Sequence, residues 1–101
     1  MSSRSILIDT DANGDFLYER PCFAAVLGVK LSIGDLDTPD ITVEDANEET
    51  TFATWTGATG DDFVQVTGEG VPYLCCSGTL RVVVSGAGDT KHGSIRLLLW
   101  G

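Results

Sequence analysis

Residues 22–33 read Cys22-Phe23-Ala24-Ala25-Val26-Leu27-Gly28-Val29-Lys30-Leu31-Ser32-Ile33. Phe23, Ala25, Leu27, Val29, Leu31 and Ile33 recur at period two, the repeat of a strand that turns one face to a core. The alternate set, Cys22, Ala24, Val26, Gly28, Lys30 and Ser32, is apolar at first and polar towards its end. The stretch therefore predicts a long strand opened by Pro21 and covered on both faces over its first half. A helix over Ala24–Leu31 is the competing reading. Gly28 and the strict alternation count against it, because a mid-helix glycine is destabilising.

Working outward, the same alternation and frequent turn residues continue. Asn13-Gly14 lies between Ser5–Thr10 and Asp15–Arg20. Asn-Gly tolerates the positive φ angles of a two-residue turn, so these two runs are expected to pair as an antiparallel hairpin. On the other side come Asp40–Asp45, with Ile41 and Val43 on one face, then Thr50–Thr56, Phe63–Thr67 and Tyr73–Ser77. Thr79–Val84 and Ser94–Trp100 read as the arms of a second hairpin joined by the glycine-rich residues 85–93. Seven or eight short strands at this spacing predict an all-β fold, a compact antiparallel β-sandwich or barrel-like domain. No repeat or linker divides residues 1–101, so one β domain is expected, with residues 1–4 as a flexible N-terminal arm. No stretch approaches the ~18 apolar residues of a membrane span, and Met1–Ser5 is followed by too short an apolar run for a secretory signal.

Six basic residues face fifteen acidic ones, a net charge of −9. The bases are scattered, and the net field repels a polyanion, which argues against nucleic acid and against anionic membranes as partners. Seven carboxylates fall between Asp35 and Glu49 with no base among them; they read as a solvated face. Cys22, Cys75 and Cys76 have no zinc-type spacing, and neighbours in a strand point to opposite faces. They read as small buried hydrophobes of a protein made in a reducing cytoplasm.

Three motifs tempt a chemical reading. Asp9-Thr10-Asp11-Ala12-Asn13-Gly14-Asp15 resembles the start of a calcium loop, with Asp9, Asp11 and Asn13 at oxygen positions and Gly14 at the sixth. The twelfth position, where a bidentate Glu is required, holds Arg20, so a plain turn accounts for the residues. His92, the one histidine, lies in the 85–93 loop near Asp89 and Ser94, and reads as a surface residue. Gly86–Lys91 lacks the phosphate-loop spacing. No catalytic residue, metal site or cofactor is therefore expected. Among the aromatics Trp55, Trp100, Tyr18 and Tyr73, the penultimate Trp100 stands out. A large side chain at a chain end needs cover, and another subunit can supply it, so Trp100 is the candidate interface residue.

Taken in order, the Asp-Thr-Asp-Ala-Asn-Gly-Asp segment, the long apolar run, Asp-Ile-Thr-Val-Glu, Thr-Trp-Thr, Leu-Arg-Val-Val-Val, the Gly-Ala-Gly-Asp-Thr-Lys-His-Gly loop and Ile-Arg-Leu-Leu-Leu-Trp-Gly resemble a group of small tailed-phage and prophage virion structural proteins. These are similar to capsid decoration, or cement, proteins. The resemblance spans residues 5–101. It implies a non-enzymatic virion protein assembled in the host cytoplasm. Its implied partner is the major capsid protein, and its working state a homo-oligomer, dimer or trimer. A neck or tail position, or a β-sandwich binding carbohydrate or a host receptor, is the alternative.

Overall fold

The computed structural model describes residues 2–100. Seven strands make up the fold: β1 (Ser2–Asp9), β2 (Phe16–Ser32), β3 (Asp40–Asp45), β4 (Thr50–Trp55), β5 (Asp62–Gln65), β6 (Leu74–Ser85) and β7 (His92–Trp100). All pairings are antiparallel, and no helix occurs among the described residues. The fold is all-β, of the sandwich or barrel-like kind.

Strand β2 is the shared element. Its first part, Phe16–Val26, pairs with β6, which continues through β3 to β4. Its second part pairs with β7 over Ala25–Ser32 and with β5 over Gly28–Leu31. Beyond β7 lies β1. One group is thus β4-β3-β6-β2 and the other β1-β7-β2-β5. Apolar side chains from both meet in a single buried cluster. Ile8, Leu31, Ile95 and Leu97 come from one group and Ile41, Val43, Leu80 and Val82 from the other.

The joint is a β-bulge. Val26 pairs with Leu99 and Gly28 with Leu98, which leaves Leu27 as one extra residue on β2. A bulge shifts the side-chain phase by one position. Cys22 and Val26 are buried before it, and Val29 and Leu31 after it. The unbroken odd-numbered face expected over 22–33 therefore does not exist. Inward positions are even before Leu27 and odd beyond it. Nor is the first half covered on both sides, since Phe23 is 74% exposed.

Several pairings differ from those expected. Strands β1 and β2 do not form a hairpin, and neither do β6 and β7. The β6–β7 loop instead carries the chain between partners of different parts of β2, and residues 10–15 carry it from β1, which pairs with β7, to β2 itself. The Asn13-Gly14 turn does close locally, with the Gly14 N–H donating to the Asp11 carbonyl at 3.1 Å. It then docks on the loop between β6 and β7. Ala87 donates to Gly14 at 3.0 Å and Thr90 to Asp11 at 3.1 Å. Gly14 has φ +80°, and a Cβ there would stand 2.6 Å from the Gly88 nitrogen. The glycine serves close loop packing as well as the turn. Thr10, almost fully buried, ties the same loops together: its hydroxyl donates to the Gly88 carbonyl at 2.9 Å and accepts the Lys91 N–H at 2.7 Å. A turn motif fixes where a chain reverses, whereas the strand's partner is chosen by which faces bury.

Two expected breaks are also absent. Pro21 does not open a strand but lies inside β2, where β6 is the only neighbouring strand, a place that tolerates proline. Tyr73–Ser77 and Thr79–Val84 merge into the single strand β6. Residues 2–4 are no arm: Ser2, Ser3 and Arg4 pair with Leu99, Leu98 and Leu97. Met1 lies outside the described residues.

Deleting Leu27 removes the phase shift. Either Cys22 and Val26 or Val29 and Leu31 must then turn to solvent. At roughly 1.5–3 kcal/mol for each large apolar side chain, the loss is about 3–6 kcal/mol, much of the stability of a domain this size. Urea denaturation of the deletion variant should show a broad or absent transition. A midpoint equal to that of the parent would refute the role of the bulge.

Candidate functional site

On the outer surface, opposite the core, the bulge brings three strands side by side. Ala25 lies across from Cys75 on β6 and from Trp100 on β7, and Phe23 pairs with Ser77 one step along. Period-two alternation puts all of these on one face, with Tyr73 completing it. They enclose an open groove of about 660 Å³ lined by Phe23, Ala24, Ala25, Tyr73, Cys75, Cys76, Ser77 and Trp100. Trp100 is 64% exposed and Phe23 more so. No charged side chain lines the groove, and its side-chain polar groups are two hydroxyls, the indole N–H and thiols.

Trp100 thus stands where the sequence put it, exposed at the end of β7. Phe23 was missed because uninterrupted alternation assigns it to the core. The signal that could have found it is the pair Leu27-Gly28, since glycine inside a strand often marks a bulge. Of the other aromatics, Trp55 is structural: half-buried against the core, it donates its indole N–H to Asp62 Oδ2 at 2.9 Å. The Tyr18 ring lies under the Arg20 guanidinium, 5.6 Å from its centroid.

The cysteines divide as their spacing requires. Cys22 and Cys76 are buried as expected, but Cys75 is exposed and is no buried hydrophobe, because successive residues of β6 face opposite sides and its side is the outer one. Burial, with the Cys22 thiol alongside, pushes the Cys76 thiol up to about 12. A thiol so disposed stays protonated at neutral pH and behaves as a small hydrophobe.

The residues of the calcium-like segment do not converge. Asp11 Oδ1 accepts from the backbone N–H groups of Asp15 at 3.0 Å and Asn13 at 2.9 Å, and these bonds lower its pKa. Asp9 Oδ1 instead lies 2.7 Å from His92 Nδ1. Among the described residues no three His, Cys, Asp or Glu groups gather as a metal set. His92 begins β7 rather than lying in a loop. Its backbone N–H donates to Asp35, whose pKa falls mainly for that reason. Asp89 is engaged with the neighbouring Thr90 hydroxyl, at 2.6 Å, and not with His92 or Ser94.

One acid departs from the solvated face expected of residues 35–49. Asp45 is fully buried. Burial acts to raise its pKa, but backbone donors outweigh it and hold the carboxyl below the usual carboxylate range. The Ser77 N–H reaches Oδ2 at 2.9 Å and the Asn47 N–H reaches Oδ1 at 3.0 Å. The carboxylate therefore pins the β3–β4 turn to β6.

The chain matches no protein-family model, and no curated protein matches it.

Asp45→Ala leaves the Ser77 and Asn47 donors without their acceptor. At about 1–3 kcal/mol for each unsatisfied group, the loss is at most roughly 2–6 kcal/mol, since both bonds are only partly buried. The pH dependence has a definite sign. The folded pKa lies below the unfolded value of about 3.9. The stabilisation is therefore complete above pH ~4 and is lost as pH falls through the folded pKa. Urea titrations across the acid range should show Asp45→Asn less stable at neutral pH and less sensitive to acid than the parent. Parallel acid limbs for the two proteins would contradict this.

Proposed function

We propose that the chain is a non-enzymatic structural subunit of a tailed-phage particle, and that it decorates the outer surface of the head by seating the aromatic groove on the shell protein. The observation that carries this reading is the exposure of Trp100 and Phe23, with Tyr73 beside them, around an uncharged groove on paired strands. Large aromatic side chains in a rigid setting are the anchors of protein–protein contacts. The net charge of −9 supports an outer position, away from packaged DNA.

Carbohydrate or receptor binding is the second reading, favoured by the same rings, since sugars stack on Trp and Tyr. Against it, a sugar also requires several fixed polar partners, and the groove offers few side chains able to supply them.

Co-sedimentation with empty tailed-phage heads separates the two, with a glycan panel run in parallel. Heads should retain the parent protein. Full burial of one tryptophan is worth about 2–3 kcal/mol, so Trp100→Ala should bind roughly 30- to 150-fold more weakly. Its exposed position predicts a change in monomer stability of only about 0.5 kcal/mol. Retention on glycans but not on heads would favour the second reading. Unaltered head binding by Trp100→Ala would remove the groove from the contact.

A further inference from the structure

Lys30 on β2 and Arg96 on β7 stand directly opposite one another, and both are exposed. Like charges at such a pair of positions repel and cost stability unless something compensates them. The ion pairs among the described residues are Arg81–Glu44 and His92–Asp9, so neither Lys30 nor Arg96 meets a carboxylate there. The Arg96 guanidinium reaches only the Ser3 hydroxyl, at 3.3 Å.

The surroundings sharpen the pattern. The row across the strands runs Ser5, Arg96, Lys30, Phe63. Phe63 is half-exposed and its ring lies over Gly28, where a Cβ would be 2.5 Å from it. The rows on either side carry Leu98 and the exposed Leu7; Asp61, two residues before Phe63, accepts the Ile33 N–H at 2.8 Å and pairs with neither base. In a chain with fifteen acidic and six basic residues, this is a segregated face. It also runs into the aromatic groove. Trp100 is four residues beyond Arg96 on the same side of β7, about 13 Å at the rise of an antiparallel strand.

We propose that this outer face, from Phe63 across Lys30 and Arg96 to Trp100, docks an acidic segment of a partner protein. Carboxylates of that segment lie over the Lys30–Arg96 pair, and an apolar side chain about 13 Å away enters the Trp100 groove. The proposal rests on reading the groove as a protein contact, and it adds the partner's chemistry. Two bases displace too few counterions to hold a nucleic acid against the net charge. Flanking leucines and aromatics match a polypeptide. A second copy of this chain, itself at −9, is opposed by long-range repulsion.

The probe is a fluorescent extended peptide with two adjacent glutamates and, four residues on, a leucine beside a tryptophan. Anisotropy at low salt compares it with the same peptide carrying glutamines, with an oligo-dT strand and with vesicles containing anionic phospholipid. The glutamate peptide should bind at least tenfold more tightly than the glutamine peptide, and that advantage should vanish with Lys30→Glu and with added salt. Trp100→Ala should weaken both peptides. Lys30→Glu should also raise the Tm by a few degrees, because it converts the repelling pair into an attracting one. Equal binding of the two peptides, no binding of either, or tighter binding of the oligonucleotide or vesicles would overturn the proposal. So would a Tm lowered by Lys30→Glu, or sedimentation showing that this substitution dissolves a self-associated state of the chain. The two readings fail separately. If Lys30→Glu binds heads as well as the parent does, the acidic docking fails and the particle role stands. If the peptide binds and no head does, the particle role fails and the docking stands.

Discussion

A strand of seventeen residues cannot bury one fixed set of alternate side chains and still supply two differently placed groups of partners. Strand β2 meets this constraint with one extra residue, Leu27. The added residue moves the inward set from Cys22 and Val26 to Val29 and Leu31. At the same place the strand exchanges its neighbours, from β6 to β7 and β5. The core can therefore be continuous although no side-chain phase is. The outer surface inherits the same joint, which is why Phe23, Ala25, Cys75 and Trp100 come together there.

Much of this was legible in the residues. The all-β class followed from alternation and turn residues, and the positions of β3 and β4 followed from Ile41-Val43 and Phe52-Trp55. Trp100 was legible as an exposed end, and the opposed directions of Cys75 and Cys76 from strand geometry. Strand partnership was not. Asn13-Gly14 marked a real turn, but the local turn is satisfied equally by a hairpin and by a crossing loop. The deciding contacts, Gly14 to Ala87 and Asp11 to Thr90, join residues more than seventy positions apart. Phe23 and Asp45 were hidden for related reasons. A bulge inverts the faces that follow it, and a carboxylate is buried only where several backbone donors converge on it.

The acidic residues do not coat the molecule evenly. Asp45 is spent inside, Asp11 on its own turn, and Glu44 on Arg81, whose Nε lies 2.6 Å away. Asp61, beside the rows from Leu7 to Leu98, is held by the Ile33 N–H, so Lys30 and Arg96 stay without a carboxylate partner among the described residues, and the groove beyond them is uncharged. Net charge and local charge thus have different uses. The first opposes the approach of polyanions, while the second, on our proposal, gives one face a preference that the total charge conceals. An exposed apolar groove adjoining an uncompensated basic pair is the ground for our proposal that this surface meets another protein and that the chain is part of a larger assembly.

The claim that β2 joins both strand groups into one cooperative core is tested most directly by native-state hydrogen exchange under rising denaturant. Amides of β6, paired to the first part of β2, and of β7, paired to the second, should converge on the same opening free energy, equal to that of global unfolding. Exchange of the β7 amides through a separate opening of markedly lower free energy, with β6 still protected, would contradict it.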